Sequence, residues 1–157
     1  MYRVFLSYNT SPEEMVVVWR LQTLAAASGL HLDVPNHDQR LDSVTVREMI
    51  ERSDCVLALL TKRATKQVQN EIQTALDLGK KVIPIVEPGY LTPPVKAVLE
   101  KSGNKIFVLH PARPWEMEQQ LSTFLRTEKF NKNASTAILA LAGTVVGLLL
   151  LQELTKT

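Results

Sequence analysis

A lone glutamate on an otherwise apolar helix face is the residue of this chain best suited to chemistry. Between residues 66 and 78, Val68, Ile72, Ala75 and Leu76 recur at helical spacing and mark a buried stripe. Glu71 lies three residues after Val68 and four before Ala75, on the margin of that stripe. A carboxylate there loses part of its hydration, which raises its pKa and suits it to polar work on a ligand. The plain alternative is a boundary glutamate paired with a nearby lysine.

The elements around Glu71 must form a sheet that brings other polar groups to it. Val56-Leu57-Ala58-Leu59-Leu60 is continuously apolar, as expected of a central strand covered on both faces. Further strands are expected at residues 3–7, 30–34, 81–86 and 105–109. Pro84 is a mark against full pairing of the fourth. Helices are expected between them. Ser11-Pro12-Glu13-Glu14 starts the first, which Gly29 ends; Asp42 or Ser43 caps the second; Thr92-Pro93-Pro94 and Pro114 start later ones. Five strands alternating with helices predict an α/β fold, a doubly wound, flavodoxin-like parallel sheet of order 2-1-3-4-5. The carboxyl ends of its strands gather Ser7-Tyr8-Asn9, Val34 to Arg40, Thr61 to Thr65, Glu87 to Tyr90 and His110. Ligands sit at that edge in open parallel sheets.

Several function classes are excluded. A receiver domain needs acidic residues after the first strand and an aspartate ending the third; Ser7-Tyr8 and Leu60-Thr61 stand there instead. Tyr8-Asn9-Thr10-Ser11-Pro12 has hydroxyls but no glycine, so it is not a flavin-phosphate loop, and no P-loop or dinucleotide fingerprint occurs. A net charge of +2 without a basic cluster interleaved with aromatics gives no reason to expect a nucleic-acid partner. His31, His37 and His110 are scattered and lack metal-ligand spacing, so no metal is expected. The single cysteine, Cys55, reads as a buried small hydrophobe and fits a reducing compartment.

The C-terminal stretch differs in composition. Residues 134–151 carry no charge and are rich in Leu, Ala, Val and Ile. Eighteen residues of helix span about 27 Å, close to the hydrocarbon thickness of a bilayer. The expected organisation is a globular domain at 1–126, a linker at 127–133, a single transmembrane helix at 134–152 serving as a tail anchor, and a short tail at 153–157. Lys129 and Lys132 before the span keep the globular part cytoplasmic. Gly143 and Gly147 form a GxxxG that favours helix self-association in lipid.

Four short motifs, in order, resemble the TIR (Toll/interleukin-1 receptor) domain family, and bacterial TIR-like domains most. They are Val4-Phe5-Leu6-Ser7-Tyr8, Gly29-Leu30-His31-Leu32-Asp33-Val34, Ile50-Glu51-Arg52-Ser53-Asp54-Cys55-Val56-Leu57, and Asn70-Glu71-Ile72-Gln73-Thr74-Ala75-Leu76 followed by Gly79-Lys80-Lys81-Val82-Ile83-Pro84-Ile85. The resemblance covers roughly residues 1–126. It implies cleavage of NAD at the nicotinamide–ribose bond, by hydrolysis or with production of a cyclic ADP-ribose-type signal, in settings such as anti-phage defence. NAD is then the substrate, with no separate cofactor. The family's catalytic glutamate matches Glu71. Ser7, Tyr8 and Asn9 match the pocket floor, and Asp33 and Arg40 bound the loop that gates it. Thr65 stands near the place of a family serine.

The chain departs from the family pattern at three places. Gln67 replaces an aromatic, the loop from Thr61 to Glu71 is short, and Leu41-Asp42-Ser43 replaces a proline-glycine. The first expectation is a membrane-anchored NAD-cleaving enzyme activated by self-association. A non-catalytic TIR adaptor that recruits other TIR domains is the alternative. A nucleoside deoxyribosyltransferase-like enzyme is the second. Each site residue also has a plain reading. Ser7 can bond a loop backbone, Asp33 can end a strand as a surface charge, Arg40 can be solvated, and Trp19 and Trp115 can simply pack.

Overall fold

The computed structural model describes residues 2–7, 23, 26–27, 30–34, 43–60, 66–89, 91–103, 105–110, 112–127, 135–136 and 138–139. The elements are β1 (Tyr2–Ser7), β2 (Leu30–Asp33), α1 (Ser43–Arg52), β3 (Cys55–Leu60), α2 (Lys66–Asp77), β4 (Lys81–Val86), α3 (Pro93–Lys101), β5 (Phe107–Val108) and α4 (Pro114–Thr127). The first expected helix, 11–28, lies outside the described residues apart from Thr23, Ala26 and Ala27, which are helical.

All five strands are parallel, in the order β2-β1-β3-β4-β5. β3 is central and each of its six residues is buried, as its continuous apolar run requires. The strand period of two divides those residues between two cores. Cys55, Leu57 and Leu59 join Val4, Leu6, Ile83, Ile85 and Phe107 under Met117 and Leu121 of α4. Val56, Ala58 and Leu60 join Phe5, Val82 and Val86 under Ile50 of α1, Val68, Ile72 and Ala75 of α2, and Leu99 of α3. Among the described elements, α1, α2 and α3 cover one face and α4 lies on the other.

Local chemistry sets the ends of these elements. Gly79, at φ 70, ends α2: its N–H reaches the Leu76 carbonyl at 3.0 Å, and the Lys80 N–H reaches that of Ala75 at 2.9 Å. This closing turn needs the left-handed conformation that glycine adopts without penalty. Pro84 is tolerated because β5 pairs with β4 only at Ile85 and Val86, so the proline falls outside that ladder. The fifth strand is correspondingly short, at two residues instead of the expected run from 105 to 109.

The tail corrects one expectation. Ile138 is fully buried in the α4-side core, and Leu139 packs against the same cluster. The start of the apolar stretch thus has protein around it, where a free-standing membrane span would have lipid. Among the described residues, no helix is long and apolar enough to cross a membrane. The expected transmembrane helix at 134–152 is unsupported on those grounds. Most of that stretch, including Gly143 and Gly147, lies outside the described residues.

Candidate active site

β1 ends in Ser7, and its parity decides which way the serine points. Val4 and Leu6 face α4, whereas Phe5 faces the α1–α3 side. Ser7, two residues after Phe5, faces the same side, toward α2. Glu71 is the sixth residue of α2, about one and a half turns in, on the stripe shared by Val68, Ile72 and Ala75. The two polar residues meet there: the Ser7 Oγ hydroxyl donates to Glu71 Oε1 at 3.5 Å. Ser7 is 0% exposed and Glu71 3% exposed. The glutamate is therefore deeper than a margin position, held inside the core stripe.

Burial pushes the Glu71 carboxyl up to about 8, and the Ser7 hydroxyl partly offsets that rise. A lysine partner would move it the opposite way, so the shift has the sign of desolvation and not of an ion pair. Near neutral pH a large share of Glu71 is the neutral acid. A carboxyl poised there can exchange a proton, or supply a negative charge once a polar ligand or cation restores its solvation.

Asp33 ends β2 but is not brought to Glu71. Its Oδ1 lies 2.9 Å from His31 Nε2, and its Oδ2 lies 3.7 Å from Arg3 Nη1. In the sheet register Arg3 lies beside His31 and Phe5 beside Asp33, so this polar cluster lies on the amino-terminal side of Ser7. The sequence reading missed the cluster; its signal was the alternation of Arg3 with Phe5 and of His31 with Asp33, which puts all four on one face. Tyr8, Asn9, Arg40, Thr65 and Tyr90 lie outside the described residues. Among the described residues no three His, Cys, Asp or Glu side chains gather in a way that could hold a metal.

One cavity, of about 230 Å³, opens between α2 and α3 and is lined by Gln69, Asn70, Ile72, Gln73, Pro94, Val95 and Val98. Glu71 is not among its walls, although Ile72, the next residue of α2 and buried in the same stripe, is.

Three solved structures are similar to this chain to different degrees. A CMP N-glycosidase of Clostridium botulinum, BcmB, superposes with a TM-score of 0.55 at 16% identity, over 76% of this chain and 98% of that one. CapF in complex with 3-isopropenyl-tropolone gives a TM-score of 0.48 at 11% identity, over 69% of this chain and 29% of that one. A diflavin flavoprotein A3 from Nostoc sp. gives 0.44 at 12% identity, over 99% and 96%. At 16% identity the likeness to the N-glycosidase is one of fold. No curated protein sequence matches the chain significantly. The TIR domain family model matches residues 4–122, a span that runs from within β1 into α4 and holds both Ser7 and Glu71. The chain belongs to the TIR domain family.

Proposed function

We propose that this TIR domain cleaves an N-glycosidic bond, with NAD as substrate and Glu71 as the catalytic carboxylate. The observation that carries the reading is a buried carboxyl, bonded to a serine at the carboxyl edge of a parallel sheet and pushed up to about 8 by desolvation. Glutamates are seldom buried this deeply, and perturbed acids concentrate at reactive sites. In the ionised form Glu71 accepts hydrogen bonds from the ribose hydroxyls. Its charge also stabilises the oxocarbenium-like state that develops as the bond from C1′ to the nicotinamide nitrogen breaks. Nicotinamide leaves as a neutral base. Water, or a nitrogen of the adenine ring, then supplies the electron pair to C1′, giving ADP-ribose or a cyclic product.

The fold shared with a CMP N-glycosidase supports the reaction class and makes a nucleotide the first substrate to compare with NAD. Self-association through TIR surfaces, common in the family, is part of the proposal because it raises the local concentration of partial sites. A second reading rests on a separate observation. Glu71 is 3% exposed, so its carboxyl must be uncovered before any substrate reaches it. A TIR adaptor without turnover would keep it covered permanently.

The deciding experiment incubates the full chain with NAD or CMP, beside Glu71→Ala and Glu71→Gln, and separates the products chromatographically. Release of nicotinamide that both variants abolish supports the NAD reading, and release of cytosine in its place moves the substrate to nucleotides. Folded protein that turns over neither, across a wide concentration range, favours the adaptor.

A further inference from the structure

Ser7 places its hydroxyl within hydrogen-bond distance of the Glu71 carboxyl, and it comes from a strand 64 residues away in the chain. It is fully buried, so it offers no surface to a substrate. The residues flanking it in β1, and those beside it in β3, are otherwise apolar: Leu6 adjoins Leu57 and Ser7 adjoins Ala58. A hydroxyl in this setting needs a reason, because a buried polar group without a purpose costs free energy.

We propose that Ser7 is the positioning residue of Glu71: its hydroxyl, fixed on the last residue of β1, holds the carboxyl at the sheet edge and follows it through both protonation states. This rests on the N-glycosidic reading given above. A serine suits the task because its hydroxyl donates to a carboxylate and accepts from a carboxylic acid with only a rotation about the C–O bond. At 3.5 Å the contact is long for an O–H···O bond. Such a bond shortens when its acceptor becomes charged. The serine therefore contributes little while Glu71 is neutral and more once it ionises, so it favours the reactive form selectively.

Among the described residues, the other titratable groups on elements packed against α2 lie on exposed faces or at the far edge of the sheet, Lys96, Glu100 and Lys101 of α3 being exposed. Arg47, Glu48, Glu51 and Arg52 of α1 are exposed. Cys55, Lys81 and Arg3 lie toward the amino ends of β3, β4 and β1, at the opposite edge from Ser7. On α2 itself, Lys66 and Asp77 sit at the two ends of the helix and are exposed.

The test titrates the Glu71 carboxyl by carbon-13 NMR in the full chain without substrate, with Glu71→Gln used to assign the signal. It is repeated in Ser7→Ala, Ser7→Thr and Ser7→Cys, and the pH profile of kcat/KM is recorded beside it. In Ser7→Ala the midpoint rises by about one pH unit and the profile moves the same way, so turnover at pH 7 falls about tenfold and recovers at higher pH. Ser7→Thr keeps the hydroxyl and returns the midpoint toward the parent value. Should Ser7→Ala not fold, Ser7→Cys, nearly the same size and a weaker donor, takes its place with a smaller change in the same direction. A folded Ser7→Ala or Ser7→Cys protein whose Glu71 midpoint stays at the parent value overturns the inference. Because the titration needs no substrate, a changed midpoint in a protein without turnover rejects the proposed function while leaving the Ser7–Glu71 pairing established.

Discussion

Asp54 and Arg3 hold each other twice: the Asp54 N–H donates to the Arg3 carbonyl at 2.7 Å, and Asp54 Oδ2 accepts the Arg3 N–H at 2.7 Å. The exchange lies where β1 and β3 begin, one residue before the register pair Val4 and Cys55. It fixes the alignment that four residues later sets Ser7 beside Ala58. A slip by one residue would turn Ser7 away from α2.

Asp54→Ala is therefore expected to lower stability by about 1.5 kcal/mol, the low end for a lost hydrogen bond to a charged group, because the pair is open to water. Asp54→Asn keeps an acceptor and should lose less. Urea melts of the two variants check this; equal stability of Asp54→Ala and the parent would show that the apolar ladder alone sets the register.

Glu71 makes a pH-dependent contribution whose sign follows from its raised midpoint. The folded state holds the proton up to about 8, whereas the unfolded chain releases it near 4.5. The folded state thus binds the extra proton between those values. Stability relative to Glu71→Gln is fully present below pH 4.5, declines as pH rises, and is lost above pH 8. The total swing is a few kcal/mol, since each pH unit that separates the two midpoints is worth about 1.4 kcal/mol. Thermal melts of parent and Glu71→Gln from about pH 4 to 9 check it: the variant should gain on the parent with rising pH, and parallel curves would refute the raised midpoint.

How far this site was legible in the sequence differs by residue. Helical spacing puts Glu71 near the α2 stripe, because that period is a property of the backbone, and the strand end puts Ser7 at the carboxyl edge of the sheet; which face Ser7 takes follows from the two cores. Sheet order followed from alternating strands and helices with right-handed crossovers. The meeting of Ser7 with Glu71 was not legible, since it depends on the distance between two elements that no local pattern encodes. A pocket role for Asp33 comes only from the family resemblance, which matches it to the start of the gating loop. Its ties to His31 and Arg3 are cross-strand and within-strand contacts that only the register reveals. The buried Ile138 was hidden because an uncharged apolar run has the same composition whether its surroundings are lipid or protein.

Cys55 should be inert in the folded protein. It is fully buried, and burial pushes its thiol up to about 12. At pH 8 roughly one thiol in ten thousand is ionised, and only the thiolate reacts. Alkylation by iodoacetamide should therefore be negligible under native conditions and complete in denaturant, with rates that track unfolding. Fast native labelling would mean that β3 opens at its amino end far more easily than its position at the centre of the sheet implies.

Ile138 discriminates between two accounts of the C-terminal stretch. Its side chain is fully buried with Met117 and Leu121 of α4 and Phe107 of β5. If that packing stabilises the domain, Ile138→Ala removes buried methyl and methylene groups and leaves a cavity, at a cost of about 2–5 kcal/mol. Deletion from Ala134 onward should be at least as damaging, because it uncovers the same apolar surface. If residues from 134 on act only as a membrane segment, neither change should alter the unfolding of the domain. Urea unfolding in detergent, followed by circular dichroism for the parent, Ile138→Ala and the truncated chain, separates the two. A lower midpoint in both variants makes the stretch part of the domain's own core, whereas coincident curves would show that the packing of Ile138 adds nothing to the domain's stability.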